Sequence, residues 1–305
     1  MIGIDWGTSS FRACRIDETG ETRERRAAPR GILAVEDGHF EAELRRQVGD
    51  WLAAGERRIL MSGMIGSRQG WREAPYVPCP AGLAEIAEGL AKIACDDLLN
   101  DPGDGPRERV MVRVVPGLSS TDAAGVPEVM RGEETQILGV LAEMEGRALA
   151  CLPGSHSKWA EVANGQILRF ETYFSGELFA ALRGHTILGR QMRDAPIHPV
   201  AFDRGVARAA EAGHLLHQLF GVRTLGLFGQ LMEEEAGSYL SGLLIGHEVR
   251  AALPADGAVV HLIGATSLSE LYARAIRAAG ARAIVHGEDA AERGLARLGG
   301  IAAWR

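Results

Sequence analysis

The chain shows one local pattern twice, near the start of each of its halves. In the first, the strand-like "IGIDW" is followed by Gly7, Thr8, Ser9 and Ser10, then by the alternating "FRACRI" and a turn at Gly20. In the second, "ALACLP" leads to Gly154 and the run Ser155 to Ser157, then to an alternating stretch and a turn at Asn164-Gly165. Asn-Gly between two apolar-patterned stretches suits a type I′ hairpin turn. A glycine and hydroxyl residues between two strands offer backbone N–H groups and side-chain donors to an anion. Alone, such a turn is an edge hairpin with a polar tip. Two in equivalent places predict related domains whose turns meet one polyphosphate across a cleft.

The rest of the patterning agrees. The spacing predicts a helix in "HFEAELRRQVGDWLAAG", a strand in "RRILMSG", a helix in "LAEIAEGLAKIAC", a surface loop in "NDPGDGPRE" and a strand in "RVMVRVVPG". A helix over "GEETQILGVLAEMEG", with acidic residues in its first turn, closes the first half. After the second hairpin come a helix in "GELFAALRG", two long helices over about 203–250, and then "AVVHLIG", "SLSELYARAIRAAG", "ARAIVHG" and "DAAERGLARLG", read as strand, helix, strand and helix. The hydroxyl of Thr266 or Ser267 is the expected cap of the first of those two last helices. Alternation of this kind predicts an α/β architecture, and 305 residues suit two domains, 1–147 and 148–305.

Charge and cysteine usage exclude several classes. Thirty-three Lys and Arg against 40 Asp and Glu give a net charge of −7 without a basic run, so nucleic acid is not an expected partner and an anionic substrate needs local positive charge. No apolar stretch is long enough to span a bilayer, and only Met1 and Ile2 precede polar sequence, so a cytoplasmic location without a leader is expected. Cys14, Cys79, Cys95 and Cys151 are widely spaced, which suits buried small side chains rather than zinc or disulfides. GxxxxGK[ST], GxGxxG, HExxH and GxSxG are all absent, so a phosphate site must be built another way.

Asp5 at a strand end, followed by Gly7 and Thr8, resembles the first-phosphate motif of the actin-like ATPase superfamily. The segments "IGIDWGTSSFRACRI", "MSGMIGSRQGW", "PYVPCPAGL", "VMRGEETQILG", "CLPGSHSKWAEV", "TYFSGELFAALRGHTIL" and "LSGLLIGHEV" together resemble the 2-dehydro-3-deoxygalactonokinase family over nearly the whole chain. The resemblance implies two actin-like, ribonuclease H-like α/β domains with a nucleotide cleft between them. The first would carry the substrate and first-phosphate site, the second the nucleotide. It also implies ATP-dependent phosphorylation of 2-dehydro-3-deoxy-D-galactonate at its 6-hydroxyl, in galactonate catabolism. The expected partners are the sugar acid and ATP, with a homodimer allowed. The alternatives are a kinase of another sugar acid or sugar, such as 2-dehydro-3-deoxygluconate, and an actin-like nucleotide-binding regulator without turnover.

The resemblance gives each motif a role. Asp5 is a hard oxygen ligand suited to Mg²⁺ through water, while Gly7, Thr8, Ser9 and Ser10 would meet the ATP phosphates. Arg12 either joins them or faces solvent. Gly154, Ser155, His156, Ser157 and Lys158 form the second phosphate turn, although Lys158 on the following strand has two faces to choose from. Gly264 marks the adenosine motif. Arg68 is the expected fork for the substrate carboxylate, with Gln69 on hydroxyls and Trp71 and Tyr76 as a wall. Glu133 and Glu134 stand where related sugar kinases place an aspartate base, and either one suits the role.

Overall fold

The computed structural model describes residues 1–95, 109–254 and 258–304; the expected loop "NDPGDGPRE" lies outside the described residues. The chain begins with β1 (Ile2–Trp6), β2 (Phe11–Ile16), β3 (Thr22–Ala28), α1 (Phe40–Ala53) and β4 (Arg58–Ser62). It continues with β5 (Tyr76–Pro78), β6 (Ala81–Gly82), α2 (Leu83–Glu88), β7 (Ala91–Ile93), β8 (Met111–Val114), β9 (Gly117–Thr121), β10 (Pro127–Met130) and α3 (Glu133–Val140). Then follow β11 (Arg147–Leu152), β12 (Ser157–Ala163), β13 (Gln166–Tyr173), α4 (Ser175–His185), α5 (Pro199–Ala210), α6 (Leu215–Leu227) and α7 (Glu233–Ala252). The last elements are β14 (Val259–Leu262), α8 (Thr266–Ala278), β15 (Arg282–Val285) and α9 (Ala290–Ile301).

Two main sheets share one plan. The first has the order β3-β2-β1-β4-β8-β7, with β1 antiparallel to β2 and parallel to β4. The second has the order β15-β14-β11-β12-β13, with β14 parallel to both β11 and β15 and the short β6 added beside β13. Counted along its own strands, each carries the order 3-2-1-4-5 of the ribonuclease H-like, actin-like fold. A small third sheet, β10-β9-β5, belongs to the same compact unit as the first.

The compact units are not consecutive stretches of chain. One comprises residues 1–147, 162–170 and 289–305, the other 148–161 and 171–288. Within the first, α1 lays Phe40, Leu44, Val48, Trp51 and Leu52 against Ile2, Ile4, Trp6, Ile59 and Met61 of the sheet. That is the three-to-four-residue spacing of one apolar helix face on buried strands, each such side chain contributing about 1.5–3 kcal/mol. Helix α9, read from the sequence as part of the second domain, belongs to the first unit because it packs on α3. A Cβ at Gly139 would stand 1.9 Å from Ala290 O, and one at Gly294 1.9 Å from Thr135 O, so the two backbones touch where only hydrogen fits. In the second unit Phe202, Val206, Ile245, Val249, Val260, Leu262 and Tyr272 form a core, and α5, α6 and α7 share another around Leu219, Leu240 and Leu243.

Three local expectations are corrected. The helix read over "LAEIAEGLAKIAC" stops at Glu88, with Gly89 as its C-cap, and Ala91–Ile93 is an edge strand. The region 203–250 holds three helices, α5 to α7, separated at Gly213 and Gly229, both at positive φ. Neither Thr266 nor Ser267 caps α8; Ala265 is the N-cap, and the carboxylate of Glu288 accepts from Thr266 N–H and Oγ1–H, each at 3.0 Å. The Asn164-Gly165 turn does form, both residues having positive φ as a type I′ turn requires.

Candidate active site

In the first unit two strand ends and a helix start converge. Asp5 is the last residue but one of β1 and pairs in register with Ser62, the last of the parallel strand β4. Gly63, which follows, has φ of +92°, and a Cβ there would lie 2.9 Å from Trp6 O and 3.2 Å from Asp5 Oδ1. Gly132, just ahead of α3, has φ of +108°, and its missing Cβ would sit 3.3 Å from Gly63 Cα. A left-handed backbone and the lack of space make glycine necessary at both positions. Their contact brings the Asp5 strand end to the helix that begins with Glu133 and Glu134.

The two glutamates are held differently. Glu134 is fully buried; its Oε2 accepts from Gly132 N–H at 2.7 Å and its Oε1 from Thr135 Oγ1–H at 2.9 Å. Burial and the neighbouring Glu133 push its carboxyl up to about 7 despite these hydrogen bonds. Glu133 is partly exposed, and its Oε2 accepts from Arg131 N–H at 2.9 Å. Burial also raises the Asp5 carboxyl above the usual aspartate range, against the pull of Arg12 at 3.4 Å. Arg12 itself is largely solvent-exposed. The first turn is closed by Gly7 N–H donating to Ser10 O at 2.9 Å and backed by Ile32 N–H on Gly7 O at 3.0 Å, leaving Thr8 and Ser9 exposed.

The four residues expected to meet the substrate are placed differently from one another. Arg68 is 87% exposed and faces Glu73 of its own loop at 3.5 Å. Gln69 is exposed, whereas Trp71 stacks on Phe40 with ring centroids 6.4 Å apart and packs against the core instead of forming an open wall. Tyr76 is partly exposed and lies over the guanidinium of Arg131, 4.4 Å from its carbon to the ring centroid.

In the second unit, Gly154 opens onto a cavity of about 280 Å³ lined also by Ser175, Phe179, Ser238, Leu268 and Tyr272. The turn is tied to α4 by Glu177 N–H donating to Ser155 O at 3.0 Å. Two of the residues expected to donate to phosphate are engaged elsewhere. Ser157 is fully buried, its hydroxyl 2.7 Å from Tyr272 OH, which in turn donates to Glu248 at 2.8 Å; Trp159 Nε1 donates to the same carboxylate. His156 stacks on Phe174 and places Nε2 2.7 Å from Glu177 Oε2. Lys158, by contrast, has a buried stem and no ion pair or hydrogen bond among the described residues, an uncommon state for a lysine. Gly264 lies at the β14–α8 turn against Pro153.

A family model described as 2-keto-3-deoxy-galactonokinase matches residues 5–298. The chain belongs to that family. Among its relatives, a protein of Rhizobium meliloti (strain 1021) named a probable 2-dehydro-3-deoxygalactonokinase is 37% identical over 96% of this chain and 94% of its own length. The 2-dehydro-3-deoxygalactonokinase of Escherichia coli (strain K12) is 32% identical over 92% of this chain and 90% of its own. The crystal structure of a Sinorhizobium meliloti protein assigned to 2-dehydro-3-deoxygalactonokinase superposes with a TM-score of 0.83 at 35% identity, covering 98% of this chain and 96% of that one. The family is one of kinases, so this chain is an enzyme of the kinase class.

Sequence reasoning missed Gly63, Ser62 and Arg131 in this kinase. A glycine after a strand carries no local mark of what its absent Cβ spares, although "MSG" and "RGE" each placed one beside a motif already singled out. Ser62 is buried beside Asp5 with its Oγ unpartnered among the described residues. No three His, Cys, Asp or Glu side chains gather into a metal cage among the described residues. The hard carboxylate of Asp5, cradled by the Cβ-free Gly63, fits Mg²⁺, which keeps several waters and takes few protein ligands.

Proposed function

We propose that the protein transfers the γ-phosphoryl group of ATP to the 6-hydroxyl of 2-dehydro-3-deoxy-D-galactonate. The observation that carries this reading is the Gly63–Gly132 contact, which joins a strand-end aspartate to a helix-start acidic pair in a chain whose relatives bear the name of that kinase. Phosphoryl transfer needs positioning, charge neutralisation and a proton acceptor for the alcohol. Mg²⁺ held near Asp5 would supply neutralising charge for the phosphates.

Glu133 is the proposed base. Its partial exposure lets it meet a hydroxyl, while Glu134 has no exposure and spends its oxygens on Gly132 and Thr135. Glu134 therefore holds the helix start, and Glu133 accepts the proton. In the second unit the cavity beside Gly154 suits a nucleoside, its apolar wall from Phe179, Leu268 and Leu271 and its polar groups from Ser175 and Ser238. The free cation of Lys158 supplies phosphate with charge. The exposed Thr8 and Ser9 of the first turn are further phosphate donors.

The test is ATP consumption with and without the keto acid, with ³¹P NMR of the product. Consumption that depends on the acid, and a phosphate ester at C6, are expected. Hydrolysis indifferent to the acid would sink the assignment, and faster turnover of the gluconate-derived epimer would move the substrate to that sugar acid.

A further inference from the structure

Arg131 is the one residue of the acidic helix approach that the proposed chemistry leaves unused. It is nine-tenths buried between β10 and α3, and its Nη2 donates to Ala74 O at 2.8 Å. Its Nε and Nη1 are buried without any hydrogen-bond partner, and no carboxylate pairs with it among the described residues. Other arginines of the same unit are matched to acids: Arg30 to Glu43, Arg15 to Glu24 and Glu56, Arg26 to Asp50. A guanidinium is always charged and costly to bury uncompensated; one carbonyl and the face of Tyr76 are weak compensation.

The slot around it is built for a flat cation. A Cβ at Gly66 would stand 2.8 Å from Val114 Cγ1 and 3.0 Å from Arg131 Nη1, so the glycine leaves room for both side chains. Gly66, Ala74 and Tyr76 flank or lie among Arg68, Gln69 and Trp71, residues expected to meet the substrate, and Arg131 N–H donates to Glu133, the proposed base. Arg68, expected in this role, lies in solvent with an acid of its own loop.

We propose that Arg131, and not Arg68, binds the carboxylate of the organic acid substrate, which reaches Nε and Nη1 when the exposed ring of Tyr76 turns aside. The inference rests on the reading of the substrate as a keto acid. It makes Arg131 the group that separates sugar acids from neutral sugars, because a charge-assisted contact to one end of the substrate is lost with the carboxylate.

The experiment compares 2-dehydro-3-deoxy-D-galactonate with its methyl ester in wild type, Arg131→Met, Arg131→Lys and Arg68→Ala. Wild type should favour the acid in kcat/KM by about 10- to 100-fold, the size of a hydrogen bond to a charged group. Arg131→Met should raise KM for the acid by that factor, leave KM for ATP and for the ester within about twofold, and so abolish the preference. Arg131→Lys should restore part of it, and Arg68→Ala should keep it. Acid and ester rising together would mark a structural arginine and overturn the proposal, as would an unchanged KM for the acid. Equal use of acid and ester by wild type overturns it even where the variants do not fold. A wild type that phosphorylates neither compound removes the proposed function itself; one that prefers the acid while the Arg131 variants keep that preference removes this inference alone.

Discussion

Glu134 spends a carboxylate where water cannot reach it, and its titration is the price. Between its ordinary value of 4.5 and its folded value of about 7, the folded chain keeps a proton that the unfolded chain has released. Its contribution is therefore most favourable below pH 4.5 and is lost as pH rises to about 7. Glu134→Gln removes this dependence. Urea unfolding at pH 5 and pH 8 should show wild type losing up to roughly 3 kcal/mol relative to the variant, about 1.4 kcal/mol per pH unit. Parallel pH profiles would show that Glu134 is not the buried acid described. Glu133→Gln should act on rate instead, lowering kcat by about 10²- to 10⁴-fold with both substrates still bound. Calorimetric binding of each substrate beside single-turnover kinetics checks this, and a wild-type kcat would exclude Glu133 as base. Asp5→Asn should cut turnover by orders of magnitude and flatten the Mg²⁺ dependence while the far-UV spectrum stays native, because it removes charge without changing shape.

At the scale of elements, α3 and α9 form a pair whose closeness rests on two glycines. Gly294→Ala would drive a methyl to within 1.9 Å of Thr135 O, so the helices must separate. A loss of about 1–3 kcal/mol is expected, together with a lower kcat because α3 begins with Glu133 and Glu134. Gly300→Ala in the same helix, where nothing lies within 4 Å, is the control and should gain about 0.5–1 kcal/mol from helix propensity alone. Denaturant midpoints of the two variants distinguish packing from propensity. Elements built by local rules were legible in the sequence: the hairpins, α1 with its apolar face, and the Asn164-Gly165 turn. The helix ends were less so. The breaks fall at single glycines, Gly89, Gly213 and Gly229, in stretches that otherwise keep a helical spacing, and Glu288 accepts from the first residue of α8.

The whole molecule repeats one sheet plan, and that duplication was readable because strand and turn periodicities are local. Membership of the units was not, since α9 joins the first through contacts with residues 135 and 139. The acidic approach was legible as a motif, but the inward turn of Ser157, the engagement of His156 and the burial of Arg131 are properties of three-dimensional packing. The cavity beside Gly154 is lined by residues of the second unit, so ATP at about 100 times its dissociation constant should add roughly 2.7 kcal/mol to that unit. Hydrogen exchange resolved by segment checks this, with protection expected first around residues 154–176 and 238–272. Unchanged exchange around these residues at saturating ATP would contradict it.

The docking of α9 on α3 also orders events during synthesis. The first unit needs residues 289–301 to cover α3, so most of its own sequence leaves the ribosome long before its packing partner exists. The second unit draws on 148–161 and 171–288 and is fully translated earlier, which reverses the usual N-terminal-first sequence of domain folding. Nascent chains stalled so that residues up to 288 have left the ribosome while α9 is still inside it should accordingly yield a protease-resistant second unit and a first unit that is still cleaved, leaving the acidic pair at the head of α3 as one of the last features of the enzyme to be assembled.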